Sequence, residues 1–412
     1  LFTVYAIGSS FINPVLFEGV LYTNTKMGVN VPLKWETGHL NQLFYLLLDV
    51  ALFFVVSRRC SVMELRRSLN WFVGGSVLAS VIAIYQYICL RTGLPFPAEF
   101  LYTNTSYATF SAYEIGQFAR INSTFVEASA AGLFFPPALA LIAWRVVLRP
   151  NWRDAVSALF ILTGLFLTVS TTAYLCCFFL GFLSVFILFR NWKARTAIRM
   201  NKLALSASVC ILVVGLGAAP SVRNWTADLL NTVIFDKTKT GSYEDRTKIN
   251  NDALQTAVST SWLGAGWGIC RASSIFPTML GNVGIPGVAL FAAFLAQVFL
   301  PVWRGRRQSV ALKGPAIFAA SVVLVGLLVA GPELTNPPLW VFAAIATTTF
   351  TFAPRGRYRH RLRDNYPHRV ARLGTSAETV TTGEANSAAV IYEVGYSQRR
   401  SRAANASATP HA

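Results

Sequence analysis

The sequence predicts an all-α, polytopic membrane protein, and two observations carry this prediction. Charged residues make up only 13% of the 412 residues and apolar residues 54%, whereas soluble domains carry about 25% charged residues. The apolar residues are gathered into about ten continuous stretches. Continuous stretches favour spanning helices over the alternating pattern of a membrane barrel. We therefore expect a bundle of about ten spans.

The distribution of basic residues between these stretches predicts an orientation. When successive loops are placed on alternate sides of a membrane, 26 of the 36 Lys and Arg residues fall on one side. Cytoplasmic loops carry an excess of Lys and Arg, so this side is predicted to be the cytoplasm and to hold the C-terminus. The net charge of +18 follows from this asymmetry, and no nucleic-acid partner is expected.

The spans are predicted in chain order from the apolar stretches, several of which are shorter than the roughly 20 residues that cross a bilayer. Because the chain opens at Leu1 without a signal-like start, one or two preceding spans are expected to be missing. The predicted spans are 1–12, 40–56, 71–90, 128–148, 155–169, 173–189, 203–219, 284–302, 315–330 and 339–352.

Two long outer loops and a distinct tail complete the predicted organisation. The loops 91–127 and 220–283 are expected to be functional because long loops in compact folds usually are. Residues 1–353 form the predicted transmembrane domain. The tail 354–412 starts rich in arginine, which suits anionic lipid headgroups, and continues rich in Ser, Thr, Ala and Gly, which predicts disorder.

The first outer loop ends on two candidate site residues, Arg120 and Glu127. A guanidinium at the membrane surface can form two parallel hydrogen bonds with phosphate oxygens. A carboxylate at the edge of a low-dielectric region can act as a general base. The alternative is an ordinary interfacial arginine and a glutamate that favours the helix dipole.

The second outer loop is predicted to contain a helix over about 243–258. Ser242 and Asp245 have a spacing that resembles a capping box. On this helix Arg246 and Asn250 would share one face, which would present a cationic, hydrogen-bonding surface to an anionic headgroup. The alternative is a solvated amphipathic helix.

After the predicted helix, the second outer loop contains glycines that alternate with other residues over 262–268. These glycines are interpreted as structural turn residues rather than as a phosphate-binding loop, since no strand precedes them. No spacing of the six cysteines indicates a metal site or a disulfide framework, so neither metal nor cofactor is expected. Asp49 is the clear acid inside a predicted span. It is either a proton-relay residue or a polar residue of the bundle interior.

The order of short motifs along roughly residues 70–300 resembles the superfamily of O-antigen ligases and Wzy-type polysaccharide polymerases. In chain order these motifs are Arg120, Ser123-Thr124-Phe125, Glu127, Ser129, Ser170-Thr171-Thr172, Asp245-Arg246, Leu263-Gly264, Gly266 and Gly281-Asn282-Val283-Gly284-Ile285-Pro286-Gly287. The resemblance implies a GT-C-like membrane glycosyltransferase of the bacterial inner membrane that uses undecaprenyl-diphosphate-linked sugars, with no nucleotide sugar and no metal. It also implies a flippase and a chain-length regulator as partners.

Two departures bear on which member of the superfamily the chain resembles. Ligases commonly carry a histidine in the second outer loop, and here no His occurs between His39 and His360. Polymerases also carry a loop pattern in which ten residues separate an arginine from a glycine. This sequence does not match it, because Gly132 lies one position too far from Arg120. The missing histidine favours a polymerase. A ligase and a secondary transporter or flippase of lipid-linked oligosaccharides remain the alternatives.

The resemblance implies that Arg120 and Arg246 bind the diphosphate or the sugar chain. Asn250 shares the helix face of Arg246 and is expected to bind the same substrate. The mechanism follows from the chemistry of a lipid-diphosphate donor. A hydroxyl of the acceptor sugar would attack the anomeric carbon of the donor, with Glu127 as first-choice base and Asp245 as second. Because a lipid diphosphate is a good leaving group, the arginines are expected to matter more than the base.

Overall fold

The computed structural model describes residues 1–24, 29–35, 37–103, 114–115, 118–148, 151–190, 241–303 and 310–348. The predicted span 203–219, the first part of the second outer loop and the tail 354–412 lie outside these residues. Eleven helices occur in the described part: α1 Phe2–Leu16, α2 Gly38–Arg59, α3 Val62–Thr92, α4 Ala98–Leu101, α5 Ala128–Leu148, α6 Trp152–Leu167, α7 Thr171–Arg190, α8 Gly241–Ser259, α9 Ile275–Trp303, α10 Val310–Ala330 and α11 Pro337–Thr347.

The structure confirms a mostly helical protein of the membrane class. Five helices are long and apolar enough to cross a bilayer, namely His39–Arg59, Val62–Thr92, Ala128–Val146, Ile275–Leu300 and Lys313–Ala330. Three shorter apolar helices accompany them, Phe2–Leu16, Thr171–Val185 and Pro337–Thr347. The complete set of ten spans, with its loops, stays a prediction.

Helix ends follow from local sequence signals. Helix α3 begins with a capping box, in which the Glu64 amide donates to Ser61 Oγ at 3.3 Å and the Ser61 amide donates to Glu64 Oε2 at 2.7 Å. It ends at Gly93, which adopts the left-handed conformation. Helix α6 is capped by Asn151, whose Oδ1 accepts from the Arg153 amide at 3.2 Å.

Helix α5 lies at the centre of the bundle, between α3, α6, α7 and α10. Small residues allow this close packing, as is usual between helices in a membrane. A Cβ on Gly132 would stand 2.8 Å from Ser170 Oγ, and one on Gly326 would stand 2.4 Å from Leu133 Cδ2. The α6–α7 turn and helix α10 are therefore packed directly against α5.

Two short antiparallel hairpins lie in the loops. Strands β1 Leu21–Asn24 and β2 Val29–Pro32 pair with Leu21 opposite Pro32. Strands β3 Glu114–Ile115 and β4 Phe118–Ala119 pair with Glu114 opposite Ala119. The first hairpin packs on α8, and a small apolar cluster joins it to the segment that follows α8, formed by Tyr22, Leu33, Ala265 and Cys270.

Several predicted boundaries differ from the structure; for example, α3 begins at Val62 rather than at position 71. The span expected at 284–302 begins earlier, because α9 already starts at Ile275 and contains a kink at Gly284, where φ is 62° and ψ is −167°. Glycine adopts this conformation without a steric penalty, so the chain can change direction there. The predicted helix 243–258 is confirmed as α8. Helix α8 starts at Gly241, so Ser242 lies within it.

Candidate functional site

Arg120 lies at the end of the α6–α7 pair where the two helices are joined. It directly follows β4, and the next amide, that of Ile121, donates to the Leu167 carbonyl at 3.1 Å. Arg120 is half-buried, and its positive charge acts on the phenol of Tyr174 in the first turn of α7. The phenol itself donates to the Phe166 carbonyl at 3.1 Å. The Arg120 backbone thus lies between strand β4 and the hydrogen bond that joins Ile121 to the end of α6.

The residues after Arg120 are built into the bundle through Gln86 of α3. Gln86 is 5% exposed. Its Nε2 donates to Asn122 Oδ1 at 2.7 Å, and its Oε1 accepts from the Ser123 amide at 2.8 Å. Ser123 Oγ donates to the Ala79 carbonyl at 2.6 Å. A segment that the sequence places in an outer loop is therefore a buried part of the helical core.

Tyr102 closes this network from the solvent side. Its hydroxyl donates to the Ser123 carbonyl. Burial raises the pKa of the Tyr102 phenol above its usual value, although hydrogen bonds with Asn122 and Gln86 act in the opposite direction. The hydroxyl therefore stays protonated and able to donate at neutral pH.

Glu127 lies exposed immediately before α5. Its carboxylate accepts from Ser129 Oγ, and its carbonyl accepts from the amides of Ala130 and Ala131 at 3.1 and 3.3 Å. These contacts are those of a residue that starts a helix. They leave the carboxylate in contact with solvent, where it can still receive a proton.

The three candidates on α8 have different environments. Asp245 is exposed, and Arg246 is half-buried. The Arg246 guanidinium forms no hydrogen bond or ion pair with any residue that the structure describes. Asn250 has a structural partner, because its Oδ1 accepts from the Ser273 amide at 2.9 Å and from Ser273 Oγ at 3.0 Å. Asn250 therefore ties α8 to the segment 260–274 and offers only its Nδ2 to a ligand.

The glycine run after α8 is structural. Gly264 and Gly266 have positive φ values of 82° and 118°. The Ala265 and Gly266 amides donate to the carbonyls of Gly281 and Asn282 at 2.8 Å each. From α1, Asn13 Nδ2 donates to the Gly264 carbonyl at 2.8 Å. These amides are used within the protein, so the run does not form a phosphate-binding loop.

Asn282, which belongs to the motif Gly281–Gly287, organises the same segment. Its Oδ1 accepts from the amides of Ile269 and Cys270, each at 2.9 Å. Its Nδ2 donates to the carbonyls of Cys270 and Thr278, each at 2.7 Å. All hydrogen-bonding positions of this carboxamide are occupied.

The two arginines are positioned by separate parts of the fold. The Arg120 segment is anchored to α3 and α6, whereas Arg246 is carried by α8, which packs on α9 and β1. The sequence identified both arginines but did not show that Gln86 holds the segment after Arg120 or that Tyr174 lies close to the Arg120 charge. For Gln86 a signal existed, namely a carboxamide in the middle of an apolar stretch.

Asp49 is 5% exposed within α2. Its carboxyl group has no hydrogen bond or ion pair to the described part of the chain. The two interpretations from the sequence, a proton relay or a polar interior residue, both fit this burial. The described residues contain no group of three His, Cys, Asp or Glu that could hold a metal ion.

Comparison with known proteins found no match: no family model, no curated protein and no solved structure is significantly similar to this chain.

Proposed function

We propose that the protein is a membrane glycosyltransferase of the Wzy polymerase type. It joins undecaprenyl-diphosphate-linked oligosaccharide repeat units on the outer face of the bacterial cytoplasmic membrane, for O-antigen, exopolysaccharide or capsule. The observation that carries the proposal is Arg246, a half-buried cation on the predicted outer face that has no acidic partner in the described residues.

The environment of Arg246 supports an anionic ligand. Removing a charge from water is unfavourable unless an opposite charge compensates it. The guanidinium fork matches the oxygens of a phosphate in two parallel hydrogen bonds. A lipid diphosphate at the membrane surface would supply this missing charge to Arg246.

Arg120 is the second proposed ligand of the diphosphate. Its backbone is fixed by the Ile121–Leu167 hydrogen bond and by the Gln86 network. A cation held in a fixed position stabilises developing negative charge without a cost of reorganisation during the reaction.

In the proposed reaction an acceptor hydroxyl attacks the anomeric carbon of the donor. A new C–O bond forms, the bond between that carbon and the diphosphate oxygen breaks, and the diphosphate leaves with the electron pair. Arg120 and Arg246 neutralise the leaving group. The proton of the hydroxyl passes to Glu127, or to Asp245 in second place, and from there to water. Both carboxylates are exposed, which suits proton release.

The remaining expectations follow from the same proposal. No metal or cofactor takes part in this chemistry. The partners are the lipid-linked oligosaccharide, a flippase and a chain-length regulator, and the arginine-rich start of the tail contacts anionic lipids on the cytoplasmic side.

The substitution Arg246→Gln tests the function directly. We expect loss of long polysaccharide chains and accumulation of single lipid-linked repeat units, measured by gel electrophoresis of surface polysaccharide, with normal insertion of the protein. The matched control is Arg271→Gln, because Arg271 is an exposed arginine already paired with Glu333 at 3.0 Å. A normal chain-length ladder in Arg246→Gln would remove Arg246 from the mechanism. Long polymer left on its lipid carrier would indicate a ligase.

A secondary transporter is the second candidate, and the burial of Asp49 favours it. Intramembrane carboxyl groups commonly carry protons in transporters. If Asp49→Asn abolished export of lipid-linked units while Arg246→Gln left the polymer intact, the transporter would replace the polymerase.

A further inference from the structure

The solvent side of α8 carries a depression that the proposed chemistry at Arg246 leaves unused. It is open to solvent, and its volume is about 410 Å³. One aromatic and five polar side chains line it, namely Tyr243, Glu244, Thr247, Lys248, Asn251 and Asp252.

The polar groups of this depression are available to a ligand. Within the described part of the chain, none of the six side chains has a hydrogen-bond or ion-pair partner. Even Glu244 and Lys248, one helical turn apart, do not pair. The set contains both donors and acceptors, so it matches hydroxyl groups, which donate and accept at once.

The charge of the depression argues against phosphate as its occupant. It holds two carboxylates, Glu244 and Asp252, and one ammonium group, Lys248. A phosphate would meet more repulsion than attraction there. An uncharged oligosaccharide would meet neither, and the C–H face of a sugar ring can pack on the ring of Tyr243, which is 42% exposed.

Helix α8 presents this surface rigidly. Its opposite face is buried through Ala253 and Ala257 and is tied to the following segment by Asn250 and Ser273. Arg246 lies three residues from Tyr243, and residues at this spacing are neighbours on a helix. An oligosaccharide in the depression would therefore lie next to a diphosphate bound at Arg246.

We propose that this surface, the α8 glycan face, binds the hydroxyl groups of the substrate oligosaccharide while Arg246 binds the diphosphate. The inference rests on the proposed function and assigns the sugar and the phosphate to neighbouring positions on one helix. It adds a binding site that the reaction at Arg246 does not require.

Two probes and two classes of variant test the proposal on the full-length protein in nanodiscs. One probe is the repeat-unit oligosaccharide released from the lipid carrier of the host, without phosphate, followed by saturation-transfer NMR. The other is inorganic pyrophosphate, followed by calorimetry. The variants are Asn251→Ala and Tyr243→Ala, and the matched control is Gln255→Ala, an exposed carboxamide one turn further along α8.

We expect Asn251→Ala to weaken oligosaccharide binding about fivefold, the equivalent of one net hydrogen bond, and to leave pyrophosphate binding unchanged. Tyr243→Ala should weaken oligosaccharide binding in the same way, and Gln255→Ala should bind both probes like the wild type. Arg246→Gln should lose pyrophosphate binding and should bind the oligosaccharide like the wild type.

Equal oligosaccharide binding by the wild type, Asn251→Ala and Tyr243→Ala would overturn the α8 glycan face. Failure of the proposed function looks different, because it would appear as absent pyrophosphate binding together with a normal polymer in Arg246→Gln.

Discussion

Gln86 lies within an apolar helix, where a carboxamide is unfavourable unless its polar atoms are bonded. Its two hydrogen bonds, to Asn122 and Ser123, compensate for this burial. The bond to the Ser123 amide fixes the backbone three residues after Arg120. Gln86 is therefore a positioning residue, since it acts on the candidate site only through the segment that carries the arginine.

We predict that Gln86→Leu destabilises the protein by about 1–3 kcal/mol, because Asn122 Oδ1 and the Ser123 amide would lose a buried partner. Thermal unfolding in detergent measures this change. Thr163→Ala is the control, because the Thr163 hydroxyl only donates back to the Leu159 carbonyl of its own helix, at 2.9 Å. An unfolding temperature equal to that of the control would show that the network contributes nothing.

At the scale of elements, the connection between α8 and α9 depends on close backbone contact. The Ile285 amide donates to the Trp262 carbonyl at 2.9 Å. The kink at Gly284 brings this part of α9 close to the segment that follows α8. A Cβ on Gly284 would lie 2.0 Å from the Trp262 carbonyl oxygen. This contact, with the four hydrogen bonds of Asn282, sets the position of α8 and so of Arg246.

We predict that Gly284→Ala costs at least about 1–3 kcal/mol, the penalty of placing a residue with a side chain in a backbone region that essentially only glycine adopts, and exposes the segment 260–274 to protease. Limited proteolysis of the purified protein checks this result. Gly181→Ala is the control, because nothing lies within 4 Å of a Cβ at Gly181 and alanine favours a helix. Equal cleavage of Gly284→Ala and Gly181→Ala would show that the segment 260–274 accommodates the alanine side chain without unfolding.

At the scale of the whole molecule, the asymmetry of basic residues predicts which ends of the helices face the cytoplasm. Arg67 lies exposed at the start of α3, and Thr124 lies exposed near the opposite end of the same helix, beside the Gln86 network. Because the ends of a spanning helix lie on opposite sides of the bilayer, we expect the two positions on opposite faces of the membrane.

We predict that a membrane-impermeant maleimide labels Thr124→Cys in intact cells and labels Arg67→Cys only after permeabilisation. A version of the protein without its native cysteines provides the background for this experiment. The opposite pattern would invert the topology and place Arg120 and Arg246 in the cytoplasm, away from a lipid-linked donor on the outer face.

The sequence by itself determined the membrane class, the helices and the candidate arginines. Composition and apolar length are sufficient for the first two, because each spanning segment must satisfy its backbone internally and does so as a helix. Helix α8 was predictable from local pattern, and the glycines over 262–268 were correctly interpreted as turn residues. These are properties of neighbouring residues.

Only the tertiary structure decided what surrounds those residues. Gln86 and Asn122 are 36 positions apart, and Asn13 and Gly264 are 251 positions apart. No local pattern reports such contacts, because they form when helices from distant parts of the chain pack together. In the same packing Asn250 accepts a hydrogen bond from Ser273, whereas Arg246 is half-buried without a partner in the described chain. Asn250 and Arg246 were both predicted from the sequence to bind the substrate, but only Arg246 keeps all of its side-chain hydrogen-bonding atoms free of partners in the described chain.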